Sequence, residues 1–220
     1  MCYTISPVHI VEYYVKLAEE LLALEIDAIT IKDMAGILDP ETAYKLVSML
    51  KKELKVPVNV HTYMTSGFAV APYLKAVEAG ADYIDTSITP LAFGTVQPDS
   101  RTVYYSLPVE ARPDLDIDVI NDISSKLRSI VEEKYLHLIN WRALIPDPSV
   151  LVHQISGGMF SNLIAQLREQ NALDRLYDVL EEVARVREDL GYPPPGHAFV
   201  PDSGCSICFQ YVIWALQGDS

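Results

Sequence analysis

Basic residues are scarce: 17 lysines and arginines face 30 aspartates and glutamates, and the formal charge of −13 repels phosphate backbones and anionic lipid surfaces alike. No nucleic-acid partner is expected. Cysteine is nearly absent, with three in 220 residues, an odd number that builds no disulfide framework and fits a reducing, cytoplasmic compartment. No apolar run approaches the roughly 20 residues of a membrane span, and the N-terminus lacks a basic region followed by an apolar one, so no span and no leader are expected. Glycine (10) and proline (14) are too few for a fibrous or low-complexity chain. What is present is 50% apolar residues against 21% charged, the composition of a globular protein with one sizeable core.

Through the first 90 residues, segments of β-type alternate with segments of helical period, which is how βα units feed a parallel sheet. Strands are expected at residues 2–5, 27–32, 57–62 and 81–86. Ser6 and Pro7 offer a helix cap and a first helical residue, and Val8, Val11, Val15, Leu21 and Leu22 carry the period to about residue 24. Asp39-Pro40-Glu41 repeats that grammar for a helix to residue 54, and another helix over 68–79 stops at Gly80. Beyond residue 90 the alternation ends, and helices are expected at 116–138, 158–170, 172–190 and 203–217. The fold class read from this pattern is α/β: a partial (half) TIM-type (β/α) barrel of about four parallel strands over residues 1–110, followed by a C-terminal helical region over 111–220. Half a barrel leaves open sheet edges, so a homo-oligomer or a complementary barrel half is expected as partner.

The motifs themselves point to a family. Cys2-Tyr3-Thr4 with Ser6-Pro7-Val8-His9, Ile31-Lys32-Asp33-Met34-Ala35-Gly36, and Val60-His61-Thr62 with Thr65-Ser66-Gly67 resemble the biotin-dependent carboxyltransferase domain of pyruvate carboxylase, the oxaloacetate decarboxylase alpha subunit and transcarboxylase. Val152-His153-Gln154-Ile155-Ser156-Gly157-Gly158-Met159, Ser161-Asn162-Leu163 and the run 185–194 resemble the same domain in the same order. The resemblance implies a (β/α)8 barrel followed by a helical funnel. A divalent metal (zinc, cobalt or manganese) and a carboxylated lysine would serve carboxyl transfer between biotin and pyruvate, with a biotin carrier domain as partner. It also implies that this chain begins near the fifth strand, without the aspartate and the arginine-bearing segment of the first four.

Lys32 falls where its strand meets a loop, and by resemblance it is the carbamylated metal ligand; burial beside a cation favours the neutral amine that adds carbon dioxide. Read alone, it is a lysine paired with Asp33 or another carboxylate. His61 and residue 63 point to one face, as a chelating pair would, but residue 63 is Tyr and Met64 replaces an aspartate. With Lys32 and His61 as two of four needed ligands, the residues by themselves predict no bound cofactor. Thr95 corresponds by resemblance to a threonine that relays a proton between biotin and the enolate; read alone it is a turn residue. Cys205 and Cys208 at i and i+3 suit a thiolate pair or two core thiols. His9, His137, His153 and His197 have no partner spacing.

Two functions follow. One is a carboxyltransferase or decarboxylase acting on pyruvate or oxaloacetate, truncated and impaired as it stands. The other is a non-catalytic half barrel, natural or engineered, that self-associates and encloses an apolar pocket lined by Tyr3, Tyr63, Met64 and Phe93.

Overall fold

The computed structural model describes residues 1–193, so the expected helix over 203–217 and the pair Cys205 and Cys208 lie outside the described residues. The chain runs α1 (Val11–Leu22), β1 (Ile29–Asp33), α2 (Pro40–Glu53), β2 (Val58–Thr62), α3 (Val70–Glu78), β3 (Tyr83–Ile84), α4 (Ser100–Ser106), α5 (Ile117–Ile130), α6 (Trp141–Leu144), α7 (Val150–His153), α8 (Gly157–Glu169) and α9 (Leu176–Asp189). β1, β2 and β3 pair in parallel in that spatial order. A fourth parallel segment flanks β1: the Lys32 amide donates to the Met1 carbonyl at 2.8 Å and the Tyr3 amide to the Lys32 carbonyl at 2.9 Å. The protein is α/β, a partial barrel with helices following on.

Side chains alternate across these strands, and both β1 and β2 bury every second residue. Ile29, Ile31, Val58 and Val60 pack beneath the helices in one core with Leu46, Leu50 and Tyr73. Thr30, Lys32, Asn59 and His61 face the other way and stay half-exposed. A second core joins α8 and α9 through Leu163, Leu167, Leu176 and Val179. The two parts are clamped at Thr4, whose hydroxyl donates to Gln154 Oε1 at 2.8 Å and accepts from Arg187 Nη2 at 3.0 Å.

Capping explains where helices begin. Asp39 accepts from the Glu41 and Thr42 amides with Pro40 at the first helical position, as its sequence indicates. Residues 6–9 depart from expectation: Ser6 Oγ accepts from the Val8 and His9 amides and bonds His9 Nδ1, closing a separate turn, so α1 starts only at Val11. The expected 116–138 helix keeps its Asp116 cap but ends at Ile130, giving way to a wider turn and a tighter one. No described helix is long and apolar enough to cross a membrane.

Candidate functional site

The register of the sheet sets Lys32 beside His61 and Asn59 beside Tyr83, which brings Asp85, two residues on, to the flank of His61. Asp85 Oδ2 lies 2.8 Å from His61 Nδ1, and Asp85 Oδ1 accepts from Asn59 Nδ2 at 3.2 Å. Gln97 Nε2 stands 3.1 Å from His61 Nε2 and 3.3 Å from its Nδ1. A carboxylate behind an imidazole is the arrangement that orients a histidine for metal or proton work. Tyr63 sets its ring 5.2 Å from the His61 ring, centre to centre.

Asp33 ends β1 pointing away from that row, into the protein. Its Oδ1 accepts from the Gly36 amide at 2.9 Å, and its Oδ2 accepts from the Leu38 amide at 2.8 Å and the Thr62 hydroxyl at 2.7 Å. Burial raises its carboxyl above the ordinary aspartate value, against the pull of these donors. The loop it closes needs Gly36, at φ +71°, because a Cβ there would stand 2.4 Å from the Tyr63 carbonyl oxygen. The loop after β1 is thereby seated against the loop after β2.

The third component is the segment 93–97. The Met64 amide donates to the Val96 carbonyl at 2.8 Å, and the Thr95 amide to the Ala143 carbonyl at 3.0 Å. Asp99 fastens its far end: it accepts from the Thr89 amide at 2.7 Å and from Arg101 Nη2 at 2.8 Å, while Arg101 also reaches Ser124 on α5. Burial would raise the Asp99 carboxyl, yet Arg101 and Thr89 hold it well below the usual range. The start of α8 presses against Thr95, and only a glycine at 157 permits it, since a Cβ would lie 2.5 Å from the Thr95 carbonyl oxygen. Between these elements a cavity of about 320 Å³ is lined by Phe93, Thr95, Val96, Ser161, Ile164 and Arg168.

The predicted residues are thus brought together unequally. Lys32 and His61 are register neighbours, and Met64 and Gln97 join their strand ends to the Thr95 and Phe93 segment. Tyr3 departs from the expected pocket: it follows Cys2, which is level with Lys32, so alternation turns it to the helix side, where it is buried against Tyr14 at 5.3 Å. Neither Tyr63 nor Met64 lines the Phe93 cavity. Asp85, Gln97, Ser161 and the Asp99–Arg101 pair were not singled out from sequence; of these only Asp85 had a local signal, the alternation of the fourth strand that aligns it with His61.

Known proteins carry the same architecture. The HMGL-like family matches residues 4–93, and the conserved carboxylase domain matches residues 150–195. The chain is 47% identical over its full length to a pyruvate carboxylase subunit of Methanothermobacter thermautotrophicus, covering 38% of that protein. It is 39% identical to the methylmalonyl-CoA carboxyltransferase 5S subunit of Propionibacterium freudenreichii, covering 43%. The carboxyl transferase domain of Rhizobium etli pyruvate carboxylase with pyruvate superposes on the whole chain at a TM-score of 0.88 and 28% identity, over 37% of its own length; the same domain with pyruvate and biocytin gives 0.86. The chain spans about a third to two-fifths of the length of the curated subunits it matches and 15–16% of several longer pyruvate carboxylases.

Fold and strand-end site together define a partial (β/α) barrel of the HMGL-like kind. The chain belongs to the biotin-dependent carboxyltransferase domain family. That membership overturns the expectation of no cofactor, which rested on counting ligands along one sequence, whereas a matched structure holds biocytin. The residues present suit a divalent metal only as part of a ligand set: among the described residues no group of three metal-ligating His, Cys, Asp or Glu exists, but His61 is held by Asp85 and is the register partner of Lys32.

Proposed function

We propose that this chain supplies one side of a carboxyl-transfer site working between biotin and a small 2-oxo acid such as pyruvate or oxaloacetate. The supporting observation is the connection of the Lys32–His61–Asp85 row to the Thr95 and Ser161 cavity through two short links, Gln97 to His61 and Met64 to Val96. Lys32 and His61 would hold the metal, which supplies Lewis-acid polarisation of the 2-oxo group. In the transfer the N–CO₂ bond of carboxybiotin breaks, a C–C bond forms at the methyl carbon of pyruvate to give oxaloacetate, and one methyl proton goes to the biotin nitrogen, with decarboxylation of oxaloacetate as the reverse. Thr95 and Ser161 offer the hydroxyls that line the intervening cavity, and a hydroxyl passes a proton by accepting one and donating its own. Residues 1–110 supply the strand ends and, among the described residues, 111–193 the helical side. The half-exposed inner face, with Tyr83 61% exposed, supports closure of the barrel by a second copy or a complementary chain in a cytoplasmic assembly.

The test is release of carbon dioxide from oxaloacetate by the chain in its closed assembly, with added divalent metal and biotin. A biotin-stimulated rate above that of metal alone, lost in Lys32→Ala and lowered roughly 100-fold in Ser161→Ala, is the expected result. A rate equal to metal alone overturns the reading.

A further inference from the structure

We infer that the outer face of α5 is the seam of an antiparallel homodimer, with α5 of a second copy as its occupant. That face shares no residue with the Lys32–His61 row or the Thr95 and Ser161 cavity, and the pairing stands whether or not the transfer reading does. α5 is held to the body through its polar side. Ser124, its one buried residue, donates to the Thr89 carbonyl at 2.6 Å, and Arg101 reaches Asn121 at 2.9 Å and Ser124 at 3.0 Å. At about 3.6 residues per turn the opposite side carries Val119, Ile123 and Ile130, with Leu127 at its margin. The first three are 51%, 41% and 44% exposed, and Leu127 is partly so. A surface helix turns its apolar stripe to a core and its serines to water. α5 does the reverse, and an apolar stripe left outside in this way marks a contact surface.

The charges beside the stripe decide the occupant. Along its free margin stand Asp118 and Asp122 on the first half of α5 and Lys126 on the second, successive positions one turn apart. Arg128 falls on the other side of the helix and is taken up by Glu132 at 3.9 Å, whereas Asp122 and Lys126 form no ion pair among the described residues. A second α5 laid antiparallel about a two-fold axis between Ser124 and Ser125 sets Val119 against the partner's Ile130 and Ile123 against the apolar stem of the partner's Lys126. The same operation brings Asp122 beside the partner's Lys126 and, by symmetry, Lys126 beside the partner's Asp122. A parallel pair would instead set aspartate against aspartate, so the charge order selects the antiparallel arrangement. Each copy carries −13 overall, but salt at 0.15 M screens that repulsion beyond about 8 Å, while the seam pairs lie in contact.

Sedimentation equilibrium of the full chain in 0.15 M salt tests this, alongside Tyr83→Lys, which charges the open sheet edge and leaves α5 as it is. A dimer is expected to persist in Tyr83→Lys. Adding Ile123→Asp to that variant should weaken dimerisation at least about tenfold with the far-ultraviolet circular dichroism unchanged, because the side chain replaced is exposed in the single chain. Lys126→Asp alone and Asp122→Lys alone should each weaken it severalfold, and the double exchange should recover the original affinity. The inference is overturned by a chain that stays monomeric up to about 1 mM, by unchanged association in a folded Ile123→Asp, or by a double exchange that associates no better than the single ones. A dimer lost in Tyr83→Lys overturns it as well, since the contact would then lie at the open edge of the barrel.

Discussion

Asp33→Ala is expected to destabilise the protein by about 3–5 kcal/mol, since it strips the acceptor from two buried amides and one buried hydroxyl at once and each orphan costs about 1–3 kcal/mol. The donors are the Gly36 and Leu38 amides and the Thr62 hydroxyl. Removing the carboxylate also relieves the cost of burying it, which is why the sum is set below three full penalties. Asp33→Asn retains one acceptor oxygen and carries no charge, so a smaller loss of about 1–2 kcal/mol is expected. Urea unfolding measures both, through a lowered midpoint at unchanged slope. A loss under roughly 1 kcal/mol in the alanine variant would mean that water replaces the carboxylate in that loop.

Gly157→Ala carries the second large effect, about 2–3 kcal/mol of destabilisation from forced overlap. The added methyl meets the Thr95 carbonyl oxygen at 2.5 Å and the Thr95 Cβ at 2.7 Å, and the loop is held on its other side by the Thr95 amide bond to Ala143. Something must give, and the segment bearing Thr95 is what gives. The neighbouring glycine is the control: a Cβ at Gly158 meets nothing within 4 Å, so Gly158→Ala should be neutral or stabilise by up to about 1 kcal/mol through the unfolded chain. Thermal unfolding of the pair, with Gly157→Ala lower and Gly158→Ala equal or higher, checks the contact directly. Equal behaviour of the two variants would remove the close approach of α8 to Thr95.

The elements legible in the sequence are those whose signals are local. β1 and β2 alternate strictly, α2 is announced by Asp39-Pro40, and α3 ends where Gly80 takes φ +93°. The short helices α4, α6 and α7, of seven, four and four residues, complete too few turns for a period to register. The start of α1 was misplaced because Ser6 spends its hydroxyl on a turn of its own. That Lys32 and His61 are neighbours was legible because strand ends of a parallel sheet face one way. Asp85 is aligned with His61 by the alternation of its own strand, whereas Gln97 and Ser161 come near these strand ends only through the packing of distant segments, for which no local pattern exists. The Thr4–Gln154–Arg187 clamp, spanning 150 and 183 residues, is equally silent in sequence.

The most direct measurement is a biotin titration followed by backbone amide NMR of the chain in the presence of a divalent metal. Saturable shifts centred on residues 93–97 and on the first turns of α8 around Ser161, with His61 perturbed on addition of the 2-oxo acid, are the expected result. Shifts confined to other surfaces, or none at saturating biotin, would contradict the placement of carboxyl transfer at these strand ends.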